Sequence, residues 1–87
     1  MMSTKLTIMD QMKRIAREHG KTLAPLSDDL VLLDSGLDSL GFAVLVARLE
    51  DTLGVDPFTT AEDAMFPVTL GDFVKVYENA ARRRAVA

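Results

Sequence analysis

The chain has 87 residues, no cysteine and one histidine, which excludes a disulfide framework or a structural zinc site and leaves packing to stabilise a single domain spanning 1–87. Thirteen acidic side chains against ten basic ones give a net charge of −3, a balance that argues against nucleic-acid binding and suits partners with basic docking surfaces. No stretch approaches the roughly 20 apolar residues of a membrane span and no leader pattern opens the chain, so the expectation is a cytoplasmic monomer that makes no membrane contact.

Residues 4–19 read as the first helix, because Ile8, Met12 and Ile15 recur at helical spacing with Met9 and Ala16 beside them. Gly20 ends it, as a residue that tolerates positive φ should. The methionines read as core filling rather than as a ligand surface. Residues 20–37 then form a connection longer than the roughly 12 to 15 residues usual for a structureless loop. Leu23, Leu26, Leu30, Val31, Leu32 and Leu33 supply anchors for it, and Ser27, Asp28 and Asp29 read as the start of one short helical turn.

The second helix should begin at Asp38 or Ser39, either of which can cap free backbone N–H groups, and run to Leu53 before Gly54. Thr59 followed by Glu62 is a capping-box pattern for a short third helix that Pro67 closes. Thr69 precedes Asp72 by the same spacing, with Val68 and Phe73 placed for a hydrophobic staple. Leu70, Phe73, Val74, Tyr77 and Ala81 give the last helix its buried stripe. No strand pattern, repeat or interdomain linker competes.

The second helix is apolar on two sides. Phe42, Leu45, Val46, Leu49 and Leu53 form its core stripe, whereas Leu40, Val44, Ala47 and Asp51 fall on the opposite side at i, i+4, i+7 and i+11. Either another part of the chain covers this second stripe, or it is a docking surface bounded by Arg48 and Asp51 that meets a partner near Ser39.

Little in the chain suits catalysis. His19 has no cysteine, glycine-rich phosphate loop or metal-ligand cluster to work with and reads as exposed or capping. The pairs Asp28/Asp29, Glu50/Asp51 and Glu62/Asp63 are neighbours that point apart on a helix, and Arg82, Arg83 and Arg84 complement the dipole of the last turn. We therefore expect no catalytic residue, no metal ligand and no enzyme activity.

One segment remains. Gly36, Leu37, Asp38, Ser39 and Leu40, lying after a long connection and ahead of a doubly apolar helix, resemble the phosphopantetheine attachment motif of acyl and peptidyl carrier proteins. The resemblance continues through Asp34 and Ser35, through Leu49, Glu50, Asp51, Thr52, Leu53, Gly54 and Val55, and on to Thr69, Leu70, Gly71, Asp72 and Phe73. It implies an all-α, acyl-carrier-protein-like four-helix bundle with a long loop between helices 1 and 2 and a short third helix. It further implies that a phosphopantetheinyl transferase moves 4′-phosphopantetheine from coenzyme A onto Ser39, that Asp38 and Leu40 meet that transferase and other partners, and that an acyl- or aminoacyl-loading ligase and downstream transferases handle a thioester cargo. The chain departs from carriers of bacterial fatty-acid synthesis in its second helix. Gly41 and Val44 stand where acids are typical, Arg48 adds a positive charge, and only Glu50 and Asp51 keep the usual sign. Such a surface should attract basic fatty-acid enzymes weakly and points to a specialised pathway. The competing reading is a non-covalent helical adaptor that uses Leu40, Val44 and Ala47 and never receives an arm.

Overall fold

The computed structural model describes residues 3–57 and 67–86. Within them lie three α-helices, α1 (Thr4–Glu18), α2 (Ser39–Leu53) and α3 (Leu70–Val86), and a short 3-10 turn at Leu32–Asp34. Among the described residues there is no β-strand, and the only extended pairing is an isolated antiparallel bridge between Val31 and Thr69. The described part of the chain is thus all-helical. The expected short helix after Thr59 falls on residues outside those described.

The ends of α1 follow from its sequence. Ser3 caps the start by accepting from the Leu6 N–H at 3.1 Å, a contact of the kind that stabilises a helix by about 1 kcal/mol. At the other end Gly20 takes φ +66°. There the Lys21 N–H donates to the Ala16 carbonyl at 2.7 Å and the Gly20 N–H to Arg17 at 3.3 Å, the paired bonds of a Schellman motif. Ile8, Met12 and Ile15 are wholly buried, as their spacing requires.

The helix α1 packs against both α2 and α3, and the core fills the space between them. Leu45 and Leu49 enter from α2, Leu70, Phe73 and Tyr77 from α3, all fully buried. The Phe73 and Tyr77 rings, one turn apart, meet at 5.0 Å between centroids and tilt by 51°, a geometry favoured by the ring quadrupoles. Burial, with the nearby Asp56 and Glu50 charges, pushes the Tyr77 phenol well above its ordinary value of 10.

The stripe of α2 is rotated from the expected one. Gly41, Leu45 and Leu49 are its buried residues, while Phe42, Val46 and Leu53 pack half-buried at the margin. A glycine carries no hydropathy signal, so periodicity alone cannot reveal that the helix presses its Gly41 edge against the chain.

The connection between α1 and α2 contributes to the core, but not through every expected anchor. Leu32 and Leu37 are buried, and Leu23, Leu26 and Leu30 pack at the edge. Leu33 is instead 88% exposed, because the 3-10 turn sends consecutive side chains in different directions. The helical turn expected at Ser27 is a hydrogen-bonded reverse turn closed by the Leu30 N–H on the Ser27 carbonyl at 3.1 Å, and helical geometry begins only at Leu32. The staple between Val68 and Phe73 is also not the arrangement found. Val68 is 60% exposed, its carbonyl accepting from Leu32 N–H at 2.9 Å. The start of α3 is held by Thr69, whose hydroxyl accepts from Asp72 N–H at 3.2 Å, and by Gly71, whose N–H reaches the Asp28 carbonyl at 3.0 Å. Backbone pairing fixes this junction where side-chain packing was expected.

These burials predict opposite outcomes for two leucines that look alike in sequence. Leu45→Ala should lose about 2 to 5 kcal/mol of stability in urea unfolding, whereas Leu33→Ala should leave the midpoint nearly unchanged.

Candidate functional site

The start of α2 is built by the segment before it. Ser35 is fully buried, its hydroxyl donating to the Leu32 carbonyl at 2.7 Å and accepting from the Leu37 N–H at 3.4 Å. Gly36 follows at φ +106°, and a Cβ there would overlap the Thr22 carbonyl oxygen. Only glycine permits both that backbone angle and that approach. The Ala24 N–H then donates to the Ser35 carbonyl at 2.9 Å. The chain leaving α1 is thereby pinned against the chain entering α2.

Asp38 caps α2 from an extended conformation, its Oδ1 accepting from the Gly41 N–H at 2.8 Å. Its second oxygen faces the Lys21 ammonium at 3.7 Å. The Gly41 hydrogen bond, assisted by Lys21, holds the Asp38 carboxyl below its ordinary value of 3.8. A Cβ on Gly41 would come within 3.3 Å of Asp38 Oδ1 and 3.4 Å of Leu37, so the glycine keeps this cap close.

Ser39 is the first residue of α2 and is exposed. Among the described residues no protein group hydrogen-bonds its hydroxyl. The Gly41 and Phe42 N–H groups are taken by the Asp38 side chain and carbonyl, but those of Ser39 and Leu40 meet no protein acceptor among the described residues. Two unpaired donors at the positive end of a 15-residue helix surround an accessible hydroxyl.

The other residues singled out on α2 divide. Leu40 is 65% exposed, and Ala47 and Asp51 are exposed as well. Val44 is half-buried and packs against the core, so the rest of the chain covers it in part. Arg48 bridges to α1, its guanidinium engaging both carboxylate oxygens of Glu18, with Nη1 to Oε2 at 3.0 Å. That hydrogen bond lowers the Glu18 carboxyl and raises the Arg48 guanidinium from their ordinary values. The positive charge noted on α2 is matched within the molecule, by a residue that α2 alone does not reveal. His19 ends α1 as its cap residue, half-buried. Sequence reasoning also missed Lys21 and the paired roles of Ser35 and Gly36; the small residues between Asp34 and Leu37 were the available signal.

Against known families, residues 12–61, more than half of the chain, match the family model for the phosphopantetheine attachment site. The chain belongs to that family. No curated protein and no solved structure matches. Members of this family carry covalently attached 4′-phosphopantetheine, and the start of α2 fits such a group. Its two free N–H groups are donors, and the positive end of the helix and the ammonium beside Asp38 are charges, from which a phosphodiester would gain. When bound, the arm supplies the thiol that the chain itself lacks. Among the described residues no group of acidic or histidine side chains is placed to hold a metal ion, and no helix is long and apolar enough to cross a membrane.

The lowered carboxyls set an acid dependence. Asp38 and Glu18 bind protons less readily folded than unfolded, so their stabilisation is present above about pH 4 to 4.5 and is lost as pH falls through their lowered folded values. Asp38→Asn, which keeps a capping oxygen without the charge, should make the fall in thermal midpoint between about pH 5 and about pH 3 shallower than in the parent protein.

Proposed function

We propose that this chain is a single carrier domain in which Ser39 accepts the phosphopantetheine arm and presents acyl or aminoacyl groups, as thioesters, to partner enzymes. The observation that carries the reading is the exposed, unengaged hydroxyl of Ser39 beside two free N–H groups at the head of α2. A serine buried or bonded like Ser35 would offer no oxygen to a modifying enzyme. A separate transferase brings coenzyme A. The Ser39 hydroxyl oxygen bonds to the pantetheine-side phosphorus of its diphosphate and gives up its proton to solvent, while the P–O–P bond breaks and adenosine 3′,5′-bisphosphate leaves, so that a phosphodiester links protein to arm.

A division of labour follows from this reading. Asp38 fixes the first turn, and with Leu40 beside Ser39 it offers the transferase a polar and an apolar contact. Ala47 and Asp51 extend that face along α2, with Val44 contributing its exposed part and Arg48 its charge already paired to Glu18. The chemistry of loading and transfer belongs to an acyl- or aminoacyl-activating ligase and to downstream transferases. The fourth, short helix expected between Thr59 and Phe66 would complete the acyl-carrier-like bundle.

Intact-mass measurement after incubation with coenzyme A and a broad-specificity phosphopantetheinyl transferase should show one added arm, with none on Ser39→Ala. A bare parent protein would favour the adaptor that binds through Leu40, Val44 and Ala47.

We further infer a specialised pathway rather than housekeeping fatty-acid synthesis. Gly41 is buried and uncharged and Val44 is apolar; beyond the Asp38 cap the first turns of α2 therefore present little of the acidic field that steers basic enzymes. The holo protein should be loaded and elongated by fatty-acid synthase enzymes at least about tenfold more slowly than an acidic carrier at low salt. Equal rates would overturn the specialised assignment.

A further inference from the structure

The ammonium of Lys21 stands beside the proposed attachment point for reasons the backbone makes plain. The Schellman motif places Lys21 directly after α1, its N–H bonded to the Ala16 carbonyl at 2.7 Å. The next residue, Thr22, passes over Gly36, and Ala24 bonds to Ser35 at 2.9 Å. Three consecutive constraints thus return the chain to the start of α2. They leave the Lys21 Nζ 3.7 Å from Asp38 Oδ2, one residue from Ser39.

For stability this ion pair counts for little. Both side chains are nearly half exposed, 43% for Lys21 and 48% for Asp38, and such pairs are weak in water. Its significance changes when a phosphodiester is attached next door. The arm's root brings a negative charge alongside the Asp38 carboxylate, and two neighbouring anions raise each other's proton affinity and repel. The free N–H groups of Ser39 and Leu40 offset part of that repulsion. A cation already held at the same place offsets more.

We propose that Lys21 is the counter-charge of the arm's root, its ammonium bridging Asp38 and the phosphodiester so that the arm leaves the protein on the side of the α1 C-terminus. The proposal rests on Ser39 being the acceptor. Lys21 here is a positioning residue that acts on the phosphate and takes no part in thioester chemistry. Among the described residues the groups that act on Asp38 are the Gly41 N–H, Lys21, His19 and its own backbone N–H, and of these only Lys21 is ion-paired to it.

The test compares the parent protein, Lys21→Gln, Lys21→Arg and a control, Lys75→Gln, on exposed α3 surface. Intact mass and peptide mapping first establish one arm at Ser39. The Asp38 carboxyl is then titrated by carbon NMR in apo and holo forms, and the phosphodiester is observed by phosphorus NMR. Attachment should raise the Asp38 pKa in every variant, and in Lys21→Gln the rise should exceed that of the parent by about half a unit or more. The phosphorus resonance should move in Lys21→Gln, and Lys21→Arg and Lys75→Gln should behave as the parent. Equal apo-to-holo rises and an unmoved phosphorus resonance in Lys21→Gln, with the arm in place, would overturn the Lys21 assignment alone. Absence of the arm from Ser39 in the parent protein would overturn the attachment reading and this proposal with it.

Discussion

The head of α2 depends on a single close approach, the Thr22 carbonyl laid against Gly36. A side chain at position 36 would occupy the oxygen's place and would also resist a φ of +106°. Because the approach is possible, the chain leaving α1 lies beside the chain entering α2, Ser35 is sealed in the interior with its hydroxyl satisfied, and Asp38 emerges extended in the geometry of a cap. Ser39 then has one place to be, outside and at the positive end of a helix.

This arrangement explains how two serines four residues apart come to differ so completely. Ser35 is spent on structure, bonded to the 3-10 turn and to the backbone of Leu37. Ser39 is spent on nothing within the fold. The contrast is a matter of hydrogen-bond accounting rather than residue type, since a buried hydroxyl must find partners while an exposed one may wait for an external one. The same economy appears on the rest of α2, where Gly41, Leu45 and Leu49 pack inward and Arg48 is tied to Glu18, leaving Leu40, Ala47 and Asp51 toward solvent.

Much of this was legible in the residues. Helix ends marked by Gly20, Asp38, Gly54 and Thr69 are local chemistry, and local chemistry is written in short stretches of sequence. The core isoleucines and methionine of α1, and the leucine and aromatics of α3, follow a 3.6-residue period and were equally readable. What escaped was non-local. Leu33 looks like its buried neighbour Leu32 until the 3-10 turn separates them; Val68 yields its expected staple because its backbone pairs with Leu32; Glu18 and Arg48, thirty residues apart, meet only through the packing of α1 on α2. Lys21 reaches Asp38 for the same reason, and no periodicity in the chain could announce it.

The most direct measurement is the rate at which a phosphopantetheinyl transferase modifies Gly36→Ala, taken beside Gly20→Ala at a temperature where circular dichroism shows both helical. At Gly20 an added Cβ meets nothing within 4 Å, so that variant shares the strain of a positive φ, here +66°, without the clash, and it should accept the arm at close to the parental rate. Gly36→Ala must push Thr22 away and disturb the cap, and should be modified roughly tenfold or more slowly, equivalent to about 1.4 kcal/mol at the transition state. Modification of a folded Gly36→Ala at the parental rate would contradict the claim that this backbone contact builds the site.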